Sequence, residues 1–448
     1  MTFPAGGHTD TVPFTVMDEA IHHLDTPSEP WSVEVEVAVA GRIDPARLRW
    51  ALGQALARHP MTRARCLPAR RTDRTYTWEL TPVADLDPVS VVDCPGEAAL
   101  AEARDRLVSL SVPLAESPPF RLRVARGTGG DRVLLNANHA AFDGFGCVRL
   151  LQSVGRIYEG RDDPLPDLSL ADARDVERHL AAGSARAWFE RLWALADKVA
   201  DEVRAPARLA PDGGSDEPGY RLVHRTLNAD TTRRLTDHHR PGTVNDALMA
   251  ALHLAVDRWN REHGAATGRV GVLMPVNLRP REWRNEVVTN FVLMARVATD
   301  AEDRHSTQAA LEAVAGQTTT MKRWGTGAAL VEVLGRTRRL PLWAKQLLSP
   351  LLWLTGNRLV DTAMLSNLGR VGEPPGFGPT VGETTGLWFS APCRLPCALS
   401  LGIAGVGGRL DLSFRWRRPA VGAAAAQRFA DLYLEEVGRL AVADRMAA

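Results

Sequence analysis

The sequence of 448 residues has few cysteines, and they do not form the pattern of a disulfide framework or a metal site. The five are Cys66, Cys94, Cys147, Cys393 and Cys397. An odd number at irregular spacing does not match the paired pattern of a disulfide-rich domain. Cys393 and Cys397 lack the second pair of ligands that a zinc site requires. The composition therefore excludes a small secreted disulfide scaffold and predicts no metal.

Targeting signals and long apolar runs are also lacking. The first ten residues contain neither a basic region nor an apolar stretch, so no secretory signal is predicted. The longest apolar stretch, residues 347–354, is interrupted by Pro350 and is too short to span a bilayer. These features predict a cytoplasmic protein.

Net charge is the third feature that the sequence has little of. A formal charge of +1 provides no long-range field for nucleic acid or for an anionic membrane. Two local basic clusters stand out, namely Arg70, Arg71 and Arg74, and Arg336, Arg338 and Arg339. The first cluster is predicted to lie in a solvated hairpin or loop.

The remaining composition, 45% hydrophobic and 24% charged, is that of a globular protein. A chain of this length is too long for one ordinary core and predicts two domains. Residues 159–175 and 205–219 are rich in proline and glycine, so we place the boundary near residue 180, giving domains 1–180 and 181–448. Strand and helix patterns in both halves predict an α/β fold in which each sheet is covered by helices.

Two local patterns make this prediction specific. In residues 32–39 four valines alternate with polar positions that include Glu34 and Glu36, which predicts a half-buried strand with the glutamates on the face away from the core. Thr243, with an aspartate three residues later, predicts the N-cap of a helix that Gly264 ends.

Residues 133–146 predict a buried strand, a loop and the start of a helix. Three aliphatic residues open the stretch, His139 follows, and Asp143 and Gly144 come four and five residues after it. Residues 147–158 then show helical apolar spacing. A histidine held in a loop at the end of a buried strand is well placed to act as a general base, because its side chain titrates near neutral pH.

The spacing His-x-x-x-Asp is weak by itself. His253 and Asp257 repeat it within the helix predicted after Thr243, where residues four apart share a face. We expect His253 to be an ordinary helix-surface or partly packed histidine beside a carboxylate. The strand, loop and glycines around His139 distinguish it from His253.

The segment from Asn138 to Gly144, Asn-His-Ala-Ala-Phe-Asp-Gly, resembles the HHxxxDG signature of the condensation-domain superfamily. Other segments resemble further signatures of that superfamily in the expected order: Arg58-His-Pro60 with Arg63 and Arg65, Pro113-Leu-Ala-Glu-Ser-Pro-Pro-Phe-Arg-Leu122, Thr243-Val-Asn-Asp-Ala-Leu248, Pro275-Val-Asn-Leu-Arg-Pro280 and Ser366-Asn-Leu-Gly-Arg-Val371. The superfamily includes peptide-synthetase condensation domains, free-standing condensation enzymes, wax-ester and diacylglycerol synthases, polyketide-associated acyltransferases and chloramphenicol acetyltransferase.

One residue departs from that signature. Asn138 stands where the first histidine is found, whereas the second histidine, the presumed catalytic one, is retained as His139. The chloramphenicol acetyltransferase branch also lacks the first histidine. Because His139 is retained, the substitution at position 138 is compatible with catalysis. It does not indicate to which subfamily the chain belongs.

The resemblance implies two chloramphenicol-acetyltransferase-like α/β halves that form a V, with His139 at an active-site tunnel between them. It implies acyl transfer from a thioester to an amine or alcohol in secondary metabolism, as in nonribosomal peptide or polyketide biosynthesis. No bound cofactor is expected. The donor would be a phosphopantetheine thioester of a carrier protein or of coenzyme A, and the two basic clusters suit either. His139 would be the general base, while Asp143 would pair with Arg279 and hold the loop.

Three further residues are candidate site residues, and two of them, Gly144 and Asn367, also have a purely structural interpretation. Gly144 would let a pantetheine arm or acyl chain approach the backbone closely, or would simply begin a helix. Ser366 and Asn367 would point hydrogen-bond donors at the reacting carbonyl. Alternatively, Asn367 would stabilise the turn that includes Gly369.

Two other functions remain open at this point. A catalytically inactive protein that recruits carrier proteins or partner enzymes would accommodate Asn138, but it would have no chemical need for His139. Ester synthesis at a membrane predicts an exposed apolar or basic amphipathic surface, which the sequence does not clearly show.

Overall fold

The computed structural model describes residues 10–83, 86–175, 178, 204–236, 241–280, 287–324, 335–347 and 360–442. The strands in these ranges are β1 (Thr11–Pro13), β2 (Ser32–Val39), β3 (Ala64–Cys66), β4 (Thr77–Leu80), β5 (Val89–Asp93), β6 (Phe120–Gly127), β7 (Gly130–Asn138), β8 (Tyr220–Leu227), β9 (Val270–Asn277), β10 (Val292–Thr299), β11 (Ala363–Arg370), β12 (Thr384–Ser390), β13 (Leu399–Val406) and β14 (Arg409–Arg417). The α-helices are Val16–His22, Pro45–Arg58, Glu97–Ser109, Gly144–Glu159, Leu170–Arg174, Ala229–Thr236, Val244–Glu262, Thr307–Trp324, Leu342–Gln346 and Ala423–Val442. Strands and helices occur in both halves, which confirms the predicted α/β class.

The strand β2 lies inside a five-stranded sheet of order β12-β2-β7-β6-β5. It pairs antiparallel with both β12 and β7, and all eight of its residues are buried. The prediction of a half-buried strand is therefore wrong. Glu34 and Glu36 are only 1% and 0% exposed.

Side chains from both halves of the chain cover the glutamate face of β2. Arg104 donates two hydrogen bonds to Glu36, of 2.5 and 2.7 Å, and His224 Nε2 lies 3.3 Å from the same carboxylate. Ser390 Oγ donates to Glu34 at 3.2 Å. A buried carboxylate with partners leaves the same alternating pattern in the sequence as one that faces water, which explains the error.

The second sheet has six strands in the order β10-β9-β11-β13-β14-β8, with β11 parallel to β9 and β13. The helices Val244–Glu262 and Ala423–Val442 pack against it around Trp259, Trp416 and Phe429. The first of these helices begins at the capping box of Thr243 and Asp246, as predicted, and its C-cap is the residue before Gly264.

The strand β12 belongs to the second half in sequence but completes the sheet of the first half by pairing with β2. Its backbone also lies close to β13, because a Cβ atom at Gly402 would be 1.8 Å from the carbonyl oxygen of Phe389. The predicted boundary near residue 180 lies outside the described residues. The division into 1–180 and 181–448 stays a prediction, and β12 crosses it.

Candidate active site

His139 is the first residue after β7, and its backbone is held on both sides. Its N–H donates to the carbonyl of Trp31 at 3.0 Å, and Asn290 Nδ2 donates to its carbonyl at 3.1 Å. The helix Gly144–Glu159 begins five residues later, so the predicted sequence of strand, loop and helix is confirmed. These contacts fix the backbone of His139 and therefore the position of the Cα–Cβ bond that carries the imidazole.

Asn138 uses its side chain to hold the same loop. Its Nδ2 donates to Asp25 Oδ2 at 2.8 Å and to the carbonyl of Val112 at 2.9 Å. Its Oδ1 accepts a hydrogen bond of 3.0 Å from the N–H of Ala140. The residue that departs from the signature thus has a structural role next to His139.

Asp143 is fixed by four hydrogen-bond donors. Arg279 donates from Nη1 to Oδ2 at 2.7 Å and from Nη2 to Oδ1 at 2.9 Å, and both side chains are buried. The N–H groups of Gly146 and Phe291 donate to the same carboxylate at 3.0 and 2.9 Å. Burial alone would raise the pKa of Asp143, but the Arg279 charge and these bonds outweigh it and hold the pKa below its ordinary value. This carboxylate is therefore an anchor for the loop and a poor proton acceptor.

The imidazole of His139 is 4% exposed and lines a cavity. Its Nδ1 atom is buried, so we infer that Nε2 faces the cavity. Burial lowers the pKa of His139, and the negative charge of Asp143 offsets only part of this effect. The side chain is consequently neutral at neutral pH, the state that a general base requires.

The cavity has a volume of about 590 Å³ and lies between elements of the two halves of the chain. The first half contributes the residues around His139, and the second half contributes β9, β10, β11, β12 and the helices Val244–Glu262 and Thr307–Trp324. Its apolar lining includes Met274, Val276, Val292, Met294 and Met321, and Lys322 is the cation among the described lining residues. A mainly apolar cavity with a few polar groups is typical of a small-molecule site.

A second, smaller groove of about 250 Å³ adjoins this cavity. Phe145 and Leu368 line both spaces, and the groove continues along the helix Gly144–Glu159 to Arg156 and Arg370. The cavity that His139 lines therefore has a neighbouring compartment on the side of Phe145 and Leu368.

Gly144 lines the cavity and lies against the ring of Phe389 on β12. A Cβ atom at position 144 would be 2.6 Å from Phe389 Cε2 and 3.1 Å from Leu368 Cδ2. Real Cβ atoms do not come within 2.6 Å of another atom, so a side chain at position 144 would require the Phe389 ring to move.

Ser366 and Asn367 also line the cavity, on β11. Asn367 Oδ1 accepts from the N–H of Gly369 at 2.8 Å, and its Nδ2 donates to Asn245 Oδ1 at 3.2 Å. Gly369 has a φ of +69°, so Asn367 does stabilise a turn that glycine favours. Ser366 is buried and has its side chain next to the cavity.

His253 differs from the expectation of a helix-surface or partly packed histidine beside a carboxylate. It is fully buried, and its Nδ1 lies 2.8 Å from Thr299 Oγ1. Asp257 instead pairs with Arg304 and Arg261. Burial lowers the pKa of His253 to about 3, with a further contribution from the charge of Arg304. This histidine is a core residue outside the cavity.

Three residues of the site escaped the sequence analysis. Nothing in the sequence around Asn290 or Phe389 marks either residue as part of a site. Lys322 lies in a helix whose pattern carries no chemical signal. Each acquires its role from a contact that is distant in sequence. Among the described residues, no group of three or more His, Cys, Asp or Glu side chains is arranged to hold a metal ion.

A two-lobed α/β fold with a histidine facing the cavity between the lobes defines a class of condensation and acyl-transfer proteins. A family model described as Condensation domain matches residues 17–336, and the chain belongs to that family. An uncharacterized protein of Mycobacterium tuberculosis is 38% identical over 432 residues, which cover 95% of this chain and 98% of that protein. One of the linear gramicidin synthase proteins of Brevibacillus parabrevis is 27% identical over 285 residues, 58% of this chain and 4% of that protein.

Solved structures show the same fold. The cyclization-docking bidomain of the EpoB nonribosomal peptide synthetase from Sorangium cellulosum superposes with a TM-score of 0.71, covering 96% of this chain and 85% of that chain at 18% identity. The first condensation domain of the CDA synthetase gives a TM-score of 0.71, with 96% of both chains covered at 16% identity. The family and the fold together support a role in condensation or acyl transfer.

Proposed function

We propose that this protein is an acyltransferase that moves an acyl group from a thioester to an amine or an alcohol, with His139 as the general base. The observation that supports this proposal most is the contrast between two neighbouring side chains. His139 is neutral and faces the cavity, whereas Asp143 is locked by Arg279 and by backbone donors. The imidazole of His139 is free to accept a proton, and the carboxylate of Asp143 holds the loop that carries the imidazole.

The reaction would proceed in two steps. The acceptor N–H or O–H attacks the thioester carbonyl carbon while His139 Nε2 takes the acceptor proton, and a tetrahedral intermediate with a negative oxygen forms. The C–S bond then breaks, the carbonyl re-forms, and the departing sulfur takes the proton from the imidazolium. The products are an amide or ester and a free thiol, and the imidazole returns to its neutral state.

The negative oxygen of the intermediate needs a hydrogen-bond donor. The Ser366 hydroxyl is the better candidate on β11, because Asn367 already uses its amide and carbonyl groups for Asn245 and Gly369. Asn367 would act through the shape of the turn that presents Ser366 to the cavity. Gly144 would leave the space beside Phe389 through which a substrate chain passes.

The donor would be a phosphopantetheine thioester carried by an acyl or peptidyl carrier protein or by coenzyme A, with no cofactor bound by the enzyme itself. The cavity and the adjoining groove support this proposal, since they offer separate approaches for donor and acceptor. Such thioesters are cytoplasmic, so a cytoplasmic role in building a secondary metabolite is part of the same proposal.

Thiol release tests the proposal directly. The wild type and His139→Ala are incubated with acyl-coenzyme A or acyl-carrier-protein donors and with mixed amines and alcohols. We expect release that requires both an acceptor and His139, while the surface variant His305→Ala behaves as the wild type. Equal release by His139→Ala would exclude the general-base role. Carrier-protein binding without release from any donor would favour the recruitment function instead.

A further inference from the structure

Two basic segments that are distant in sequence form one surface. The N–H of Leu342 donates to the carbonyl of Asp73 at 2.7 Å, and the N–H of Trp343 donates to the carbonyl of Arg71 at 3.0 Å. Lys345 Nζ donates to the carbonyl of Arg74 at 2.7 Å. The loop of residues 70–74 therefore lies directly against the short helix Leu342–Gln346.

The inner side of this helix is firmly attached to the protein. Leu342 is 1% exposed, and the buried Lys345 forms an ion pair of 2.8 Å with Glu19 on the helix Val16–His22. Removing one member of such a pair leaves an unpaired buried charge, so the pair strongly favours this one orientation of the helix. The opposite side of the helix is consequently held outward.

The outer side is apolar. Leu340, Trp343 and Leu347 are 42%, 48% and 56% exposed, and they lie within eight residues of each other. Trp343 and Leu347 are four positions apart and so follow the same side of the chain. Among the described residues, nine large apolar side chains are this exposed, and the other six are scattered along the sequence. Single exposed apolar residues are ordinary, whereas a cluster of three indicates an interaction surface.

Exposed arginines lie in the same two segments, among them Arg70, Arg71, Arg74 and Arg339. Asp73 is the acidic residue within the two segments, and its carboxylate accepts a hydrogen bond from the N–H of Arg70. We call Leu340, Trp343, Leu347 and these four arginines the basic–apolar patch. Its positive charge is local, because the chain as a whole carries a net charge of only +1.

We propose that the basic–apolar patch binds the protein to an anionic lipid surface, with Trp343 and the two leucines at the boundary between headgroups and acyl chains and the arginines against lipid phosphates. Tryptophan and leucine bordered by arginine are the residue types that stabilise a helix lying in a membrane interface. A protein partner of ordinary affinity would need about 800 Å² of complementary surface on each side. A few projecting apolar side chains with exposed arginines in the same segments are sufficient for a fluid lipid surface, which adapts to them.

The mode of attachment is peripheral. In the part of the chain that the structure describes, no helix is both long and apolar enough to cross a bilayer. The patch provides two contributions, apolar insertion and electrostatic attraction, and both add to the strength of peripheral binding. This inference does not depend on the proposed acyl transfer, because none of the patch residues lines the cavity.

Vesicle co-sedimentation tests the inference. The wild type is mixed with vesicles of phosphatidylcholine alone or with about one third phosphatidylglycerol, at low and at high salt. We expect binding to the anionic vesicles only, weakened by salt. Trp343→Ala should weaken this binding several-fold. Arg71→Glu with Arg339→Glu should weaken it further, because each positive charge near an anionic surface contributes about fivefold.

Two matched variants control for exposure and charge. Trp50→Ala removes a tryptophan that is 55% exposed elsewhere, and Arg106→Glu reverses an exposed arginine on another helix; both should bind vesicles as the wild type does. Absence of binding to anionic vesicles at low salt would overturn the proposal. So would equal binding by Trp343→Ala, or patch-dependent binding to an acidic carrier protein without vesicle binding. Thiol release from soluble substrates, measured on the same variants, separates a failure of docking from a failure of acyl transfer.

Discussion

Asp143 and Arg279 are 136 positions apart in sequence and are joined by two parallel hydrogen bonds of 2.7 and 2.9 Å. The pair connects the loop that carries His139 to the segment after β9, so it fixes the two halves of the chain to each other beside the cavity. Arg279 Nη2 also donates to the carbonyl of Thr289 at 2.5 Å, next to the Asn290 that holds His139. The ion pair and the hydrogen bond of Asn290 thus hold the two ends of the loop between His139 and Asp143.

The first prediction concerns this pair. Asp143→Ala leaves Arg279 charged and buried without its partner, and we expect the free energy of unfolding to fall by roughly 3–5 kcal/mol together with the folded yield. Urea unfolding measures the effect. Asp87→Ala, which breaks the exposed pair with Arg49, should lower the same quantity by less than about 1 kcal/mol. A normal yield and stability for Asp143→Ala would contradict the loop-holding role.

The second prediction concerns the pH dependence of the rate. Burial lowers the pKa of His139 below its ordinary value of about 6.5. A general base must be neutral, so acyl transfer should persist as the pH falls below about 6.5 and decline only at the lowered pKa. The acid limb of kcat/KM for thiol release gives this value. An acid limb at or above the ordinary histidine pKa would contradict either the neutral state of His139 or its role as base.

The local features of the site are those that the sequence predicts best. The apolar run of β7, the loop with His139 and the helical spacing after Gly144 are each encoded within about fifteen consecutive positions. The partnership of Asp143 with Arg279 came from the resemblance to a family, because nothing near Arg279 in sequence distinguishes it from a surface arginine.

Contacts between residues that are distant in sequence could not be predicted, for a physical reason. The buried carboxylate of Glu36 is paired with Arg104 and His224, and the contact between Gly144 and Phe389 depends on β12, which comes from the second half of the chain and completes the sheet of the first. In the same way the basic–apolar patch arises only when two arginine clusters fold together. A single sequence records the types of these residues but not which of them will meet.

The third prediction uses the sign of a stability change at Gly144. A glycine that merely begins a helix should tolerate alanine, which favours the helix by up to about 1 kcal/mol. The contact with Phe389 predicts the opposite, since a Cβ atom would overlap the ring, and overpacking costs about 1–3 kcal/mol. Gly53→Ala is the control, because position 53 is helical and open space surrounds it. If Gly144→Ala is as stable as Gly53→Ala, the predicted clash between a Cβ atom at position 144 and the Phe389 ring is wrong.

Gly144→Ala should also change the rate of thiol release, and the size of this change should depend on the side chain at position 389. We expect Gly144→Ala to slow thiol release and Phe389→Leu, made in addition, to recover part of both rate and stability. Such a recovery measures the direct coupling of two residues in contact. Additive losses in the double variant would show that they act independently.

The fourth prediction tests the role of Asn138. Asn138→Asp places a second carboxylate within hydrogen-bond distance of Asp25, whose own pKa burial already raises. Like charges at this distance raise each other's pKa, so the variant should be less stable than the wild type near neutral pH and approach it as the pH falls. Unfolding curves at several pH values check this. A loss that does not change with pH would argue against the contact with Asp25.

The fifth prediction concerns Glu34, in the layer between the sheets. Burial, and next the charge of Glu36, raise the pKa of Glu34 to about 8 in the folded protein. A folded pKa above the unfolded one means that the folded state retains a proton, so the stabilising contribution is complete below the unfolded pKa of about 4.5 and is lost as the pH rises through about 8. Glu34→Gln cannot ionise. Its free energy of unfolding relative to the wild type should therefore increase steadily with pH across this window. Parallel curves for the wild type and Glu34→Gln would mean that Glu34 is already ionised in the folded protein, and the layer between the sheets would then have to hold both glutamates as anions.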